Sequence, residues 1–142
     1  MKCLVTGATG FVGDRLVEEL LKKGNQVHVL ARSPDSLSPF LAWLVTPFQG
    51  DLNDRQMLNR AMKGCDTVFH LAAYANIWSK DKRQAWNTNV AGTKNILEAA
   101  LQNNIKKIVF TSTAAILPPS PSGEAIDENA PWPEKFLTDY ET

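Results

Sequence analysis

Gly7, Gly10 and Gly13 stand three residues apart in the run Thr6-Gly7-Ala8-Thr9-Gly10-Phe11-Val12-Gly13, directly after a short apolar stretch. Glycines at such a turn let the backbone reverse tightly, approach a pyrophosphate closely and seat a helix on a sheet, while the helix N-terminus supplies N–H donors and a partial positive charge. The spacing is G-x-x-G-x-x-G, not the commoner G-x-G-x-x-G. Its place between an apolar run and the first helical period makes dinucleotide binding the expected chemistry, against the alternative of a bare structural turn. Gly7, Thr9, Gly10, Phe11, Val12 and Gly13 are the candidate contacts. Arg32 is the second chemical signal. An acidic residue in its place would hydrogen-bond the ribose hydroxyls of NAD, whereas a guanidinium suits a 2′-phosphate through paired N–H bonds. No Asp or Glu occupies positions 30–34, so NADP is expected rather than NAD, the alternative being a solvated surface arginine.

Metal and disulfide chemistry find little support. Cys3 and Cys65 lie far apart, in no Cys-x-x-Cys or Cys/His spacing, which excludes a zinc ribbon and suits a reducing compartment. His28 falls within a strand and His70 at a strand end, both isolated and expected to serve packing.

The glycine turn has to be presented by a strand and a helix. Cys3–Thr6 reads as a first strand, and Val12, Leu16, Leu20 and Leu21 give the following segment a helical period. Gly24-Asn25 ends that helix, 26–31 alternates as a second strand, and Ser33-Pro34 breaks it. The pattern is weaker through 36–43 and resumes with a third strand at 45–49. Asp54 caps a helix reaching Met62, and 67–71 forms a fourth strand. A long helix is expected over 83–103, with Val90, Ile96, Leu97, Ala100 and Leu101 on one side, and then a fifth strand at 108–110. Strands alternating with helices imply an α/β, doubly wound parallel sheet with right-handed crossovers. Residues 118–133 carry Pro118, Pro119, Pro121, Pro131 and Pro133 without periodicity and read as a mobile loop. Residues 137–142 look like the start of another helix, so the chain reads as cut short after its fifth strand.

Charge and composition narrow the partners. Fifteen Lys plus Arg balance 15 Asp plus Glu, which gives no electrostatic draw toward nucleic acid or anionic lipid. No signal-peptide core or run of about 18 apolar residues is present, so a cytoplasmic protein with no membrane segment is expected. Lys80-Asp81-Lys82-Arg83 and Lys106-Lys107 read as solvated faces. Trp78, Trp86 and Trp132 could face a substrate pocket or serve satellite packing.

The run T-G-A-T-G-F-V-G resembles the opening of the extended short-chain dehydrogenase/reductase superfamily, the NAD-dependent epimerase/dehydratase family. Further segments agree in order: Gly50-Asp51-Leu52, His70-Leu71-Ala72-Ala73, Asn89-Val90-Ala91-Gly92-Thr93 and Thr111-Ser112-Thr113-Ala114. The variant is more similar to the dihydroflavonol-4-reductase-like and 3β-hydroxysteroid dehydrogenase-like branch than to sugar epimerases. The resemblance implies a Rossmann fold with five strands in order 3-2-1-4-5, truncated before the sixth. Residues 1–142 would then be an incomplete N-terminal dinucleotide-binding domain, its substrate domain absent.

Carried over by residue, the resemblance places Asp51 and Leu52 at the adenine, and Leu71, Ala72 and Ala73 beneath the ribose and pyrophosphate. Thr111 lies beside the cofactor, and Asn89 braces the central strands. Thr113, with Ser112 a weaker substitute, matches the family's catalytic Ser/Thr. Tyr140 matches its Tyr; Tyr74 falls in the wrong element. The Lys of the family's Tyr-x-x-x-Lys helix would lie two residues beyond Thr142. The implied parent transfers hydride between NADP(H) and a carbonyl or alcohol substrate. Two alternatives remain: a nucleotide-sugar epimerase or dehydratase holding NAD, and a non-catalytic dinucleotide-binding sensor or regulatory module. A homodimer through the 83–103 helix is also implied.

Overall fold

The computed structural model describes residues 1–76, 82–120, 123–131 and 133. Five strands, β1 (Lys2–Thr6), β2 (Gln26–Ala31), β3 (Thr46–Gln49), β4 (Thr67–His70) and β5 (Lys107–Phe110), form one parallel sheet in the order β3-β2-β1-β4-β5. This is the doubly wound Rossmann arrangement expected. The chain winds outward from β1 to β3 and then returns to lay β4 against the other side of β1, with Thr6 level with both Leu30 and His70. The order reverses there, and the crevice beyond the strand ends is where open α/β sheets bind ligands.

Both faces of the sheet are covered, which is why β1 reads as a continuous apolar run and why β2, alternating at its start, is buried at every residue after Gln26. Helix α1 (Phe11–Lys22) and the short α2 (Pro39–Ala42) lie on one face, where Val17, Leu20 and Leu41 meet Cys3, Val5, Val27 and Val29. Helices α3 (Arg55–Met62) and α5 (Thr93–Gln102) cover the other, enclosing Leu4, Leu30, Leu58, Met62, Val68 and Ile96. Asp54 caps α3, its Oδ1 accepting the Met57 N–H at 2.9 Å. Arg55 and Glu98 join α3 to α5 through a 2.7 Å ion pair.

The long helix differs from expectation in two ways. It begins as α4 (Lys82–Ala85), widens into a π-helical stretch over Trp86–Gly92 and continues as α5. Its inner face is also not the leucine face: Asn95, Ile96, Ala99 and Ala100 are buried, while Val90, Leu97 and Leu101 are exposed, Leu101 by 81%. Close approach decides the matter. A Cβ on Gly92 would lie 2.9 Å from the Leu52 side chain, so the helix turns small residues, Gly92, Ala99 and Ala100, inward beside Ile96. Asn95 is accommodated because its Nδ2 donates to the Leu52 carbonyl at 3.1 Å. Beyond the 3₁₀ turn at Ala114–Ile116, the described residues from Leu117 onward hold neither helix nor strand.

Candidate functional site

The glycine turn is a backbone device. Gly7 adopts φ +76°, and a Cβ there would lie 2.6 Å from Ala72 N, so the turn crosses directly over the end of β4. Gly10 donates its N–H to Gly7 O at 3.0 Å and opens α1. Gly13 lies against the turn itself, where a Cβ would fall 2.1 Å from Gly7 O. The first intrahelical bond runs from Asp14 N to Gly10 O. The N–H groups of Phe11, Val12 and Gly13 therefore have no intrahelical acceptor and stand at the positive end of the helix. The side chains of Phe11 and Val12 are 87% and 61% exposed and line neither of the site's two cavities, so it is their backbone that is placed to serve the site.

A cavity of about 250 Å³ opens beside this turn, bounded by Gly7, Thr9 and Gly10 on one side and by Asp51 and Leu52 on the other. Among its described lining residues, Arg32, exposed just beyond β2, is cationic and Asp51 anionic. Asp51 Oδ1 accepts from Asn53 N and Nδ2 at 3.0 and 2.9 Å, which fixes the carboxylate at the rim. Leu71, Ala72 and Ala73 form the floor.

The same three residues also bound a second cavity of about 310 Å³, whose far wall is Phe110, Thr111, Ser112 and Thr113. Thr113 Oγ1 accepts the Ala115 N–H at 3.2 Å, capping the 3₁₀ turn and leaving its own proton to donate. The structure thus brings together Gly7, Thr9, Gly10, Arg32, Asp51, Leu52, Leu71, Ala72 and Ala73 around the first cavity, and Thr111 and Thr113 around the second. Tyr140, Trp78 and Trp132 lie outside the described residues. Trp86 is 60% exposed and lines neither cavity.

The floor is held from several directions. Leu71 N donates to Thr6 O at 3.1 Å and Ala72 N to Thr6 Oγ1 at 3.3 Å. Asn89 grips Tyr74 at both backbone groups, at 2.7 Å to N and 3.0 Å to O, so it braces the segment that follows β4 rather than the central strands. His70 bonds Thr6 Oγ1 through Nδ1 at 2.7 Å and Thr93 Oγ1 through Nε2 at 3.0 Å, and burial lowers its pKa to about 4. His28 donates Nδ1–H to Ala61 O at 2.6 Å, and burial is also the main cause lowering its pKa. Both cysteines are buried thiols pushed up to about 11, chiefly by desolvation.

The sequence assigns no site role to several lining residues. Thr88 and Tyr74 face the first cavity, and Thr93 and Ile116 the second. Thr88 and Thr93 sit in or beside the π-helical stretch, where a search for apolar period passes over polar positions. Among the described residues, no group of three or more His, Cys, Asp or Glu could hold a metal, and no helix is long and apolar enough to cross a membrane.

Comparison with known proteins agrees with this architecture. Residues 3–141 match the family model described as the NAD dependent epimerase/dehydratase family. The chain is 41% identical over 141 residues to a Synechocystis protein named "Putative dihydroflavonol 4-reductase", covering 96% of this chain and 40% of that protein. It is 35% identical over 136 residues to 2-alkyl-3-oxoalkanoate reductase of Shewanella oneidensis, covering 96% of this chain and 34% of that one. Among solved structures, UDP-glucose 4-epimerase of Thermus thermophilus in complex with NAD is similar at 33% identity and a TM-score of 0.84, over 99% of this chain and 46% of that chain. The chain therefore spans less than half the length of these relatives.

Proposed function

The chain belongs to the NAD dependent epimerase/dehydratase family, and from that premise we propose that it is the dinucleotide-binding portion of an NADP(H)-dependent reductase acting on a carbonyl or alcohol substrate. The observation that carries this reading is the pair of adjoining cavities sharing the floor Leu71–Ala73 beneath the glycine turn. A dinucleotide has two halves joined by a pyrophosphate, and the turn supplies N–H donors where the halves meet. The cradle fits the group because the N–H groups of Phe11, Val12 and Gly13, which have no intrahelical acceptor, stand at the start of α1 beside a cavity of about 250 Å³ bounded by Gly7, Thr9 and Gly10.

In this reading the N–H groups at the start of α1 hold the pyrophosphate. Asp51 accepts from the adenine amine, and Leu52 lies against the ring. Arg32 holds the 2′-phosphate through charge-assisted bonds, which favours NADP over NAD. Ala72 and Ala73 are small enough to admit the ribose and pyrophosphate. When bound, the nicotinamide supplies or accepts the hydride. Thr113 donates its hydroxyl proton to the substrate oxygen, and Tyr140, assigned by resemblance alone, exchanges the proton with that oxygen. The exposed Leu97 and Leu101 on the outer face of α5 support a homodimer through this helix.

Titration of the chain with NADPH, NADH and 2′-phospho-ADP-ribose tests the reading. NADPH should bind most tightly, and 2′-phospho-ADP-ribose, which fills only the first cavity, should retain part of that affinity. Absence of binding by all three would overturn it. The similarity to an epimerase solved with NAD favours a second reading, an epimerase or dehydratase retaining NAD. Chromatography of nucleotide released from the denatured protein separates the two, since retained NAD supports the second.

A further inference from the structure

We propose that His70 is a positioning residue: a hydrogen-bond chain of fixed direction, Thr6–His70–Thr93, holds the segment Leu71–Ala73 that floors both cavities. Its effect on ligand affinity rests on the dinucleotide reading above, whereas the chain itself stands on geometry alone.

The direction follows from counting protons. Ala72 N–H can only donate, and it meets Thr6 Oγ1 at 3.3 Å. The fully buried Thr6 hydroxyl has one proton, and His70 Nδ1 lies 2.7 Å away to accept it. Nδ1 is then the bare nitrogen, so the neutral ring carries its proton on Nε2 and donates to Thr93 Oγ1 at 3.0 Å. The opposite tautomer would aim two donors at Thr6 Oγ1 and strand the Thr6 proton in the core, an arrangement that buried hydroxyls avoid. The groups against the ring are Thr6 from β1, Thr93 from α5 and the Phe110 ring from β5, with centroids 5.5 Å apart. Desolvation alone accounts for the low pKa, with no charged group among its causes, so the ring stays neutral and the direction does not reverse near neutral pH.

Position matters here because the tolerance is small. The space a Gly7 Cβ would occupy is 2.6 Å from Ala72 N, the atom that Thr6 holds. One end of the chain thus sets the floor of the first cavity, and the other, Thr93, is part of the wall of the second. The chain uses a polar side chain at each step where an apolar one would fill the same volume, and this separates positioning from packing.

The test combines imidazole nitrogen spectra, Ala72 amide exchange and NADPH titration in the wild-type chain, Thr6→Val, Thr6→Ser and Thr93→Val. In the wild type His70 should show a pyrrole-like Nε2 and a pyridine-like Nδ1, unchanged from about pH 8 to about pH 5. Thr6→Val keeps the shape and removes the hydroxyl; the Ala72 amide should exchange at least roughly tenfold faster and NADPH should bind roughly tenfold more weakly. Thr6→Ser should restore both, and Thr93→Val should move the Nε2 signal while the ring stays neutral. A pyridine-like Nε2 in the wild type, or Thr6→Val with wild-type Ala72 exchange, would overturn the proposal. If Thr6→Val does not fold, the wild-type spectrum and the half-buried Thr93→Val still decide. A wild-type chain with no affinity for NADPH would sink the dinucleotide reading instead, leaving the spectra and amide exchange to judge the chain.

Discussion

Replacing Gly7 with alanine imposes two costs at once, and two other glycines allow each to be measured alone. Gly7 combines φ +76° with a Cβ position 2.6 Å from Ala72 N and 2.7 Å from the Leu71 carbonyl carbon. Gly24 has φ +73° but nothing within 4 Å of its Cβ position, so Gly24→Ala isolates the left-handed backbone cost, about 1 kcal/mol. Gly13 is the converse, a helical residue whose Cβ would stand 2.1 Å from Gly7 O. Gly13→Ala therefore isolates overpacking of backbone against backbone, about 3 kcal/mol at the upper end of such costs. Gly7→Ala should incur both, about 4 kcal/mol, a large share of the 5–15 kcal/mol roughly typical of a domain. With a urea slope of about 2 kcal/mol per molar, the unfolding midpoint should fall by about 0.5 M for Gly24→Ala, about 1.5 M for Gly13→Ala and about 2 M for Gly7→Ala. NADPH titration of the folded variants should show affinity kept in Gly24→Ala and lost in the other two. If Gly7→Ala unfolds at the same urea concentration as Gly24→Ala, the close crossing of the turn over β4 is not there, and the argument for a backbone cradle fails.

Further outcomes follow from single residues. Arg32→Asp should reverse the preference for NADPH over NADH, since a charge-assisted pair to phosphate is worth about 1.5–3 kcal/mol, roughly tenfold to a hundredfold; equal affinities in the wild type would refute the assignment. His70 gives stability a pH slope of known sign. Its folded pKa is about 4 against an ordinary 6.5, so between these values the unfolded chain binds more protons and stability falls as pH falls. The contribution, complete above about pH 6.5, should shrink by about 2 kcal/mol at pH 5, and His70→Asn should flatten that part of the slope in urea titrations at the two pH values. Asp54→Ala removes the acceptor for the Met57 N–H and should cost about 1 kcal/mol in the same assay; no loss would mean that water caps α3 equally well.

The sheet was legible because its central strands are buried on both faces. Cys3-Leu4-Val5 and Val27 to Leu30 are almost wholly enclosed, and enclosure on two sides turns the alternating pattern of a strand into an apolar run closed by glycine or proline. The inner face of α5 was legible only in part, Ile96 and Ala100 being buried and Leu97 and Leu101 not, because hydrophobicity ranks residues by their cost in water and says nothing of how near a helix must come to its neighbour. At Gly92, where the Leu52 side chain occupies the place of a Cβ, nearness decides. Gly92, Ala99 and Ala100 then face inward while the larger Leu97 and Leu101 remain outside.

The candidate site divides along the same line. The glycine turn could be read because a left-handed φ at Gly7 and a Cβ-free approach at Gly13 can be met by one residue type, so the requirement is written in the residues themselves. The walls contributed by Tyr74, Thr88 and Thr93 could not, because a wall residue is placed by partners far away in sequence. Tyr74 is held by Asn89, 15 residues on, and Thr93 is tied to His70, 23 residues before it. The segment after β4 has left the sheet ladder, so its backbone groups need partners from elsewhere. Thr6, from β1, and Asn89, from the π-helical stretch, supply them. A floor bonded by two separate elements can stay irregular and still be rigid. Small residues at Ala72 and Ala73 then keep the passage between the cavities open, and the polar residues that fix it, Thr6, His70 and Asn89, lie against the floor, where the sequence shows their types but not their partners.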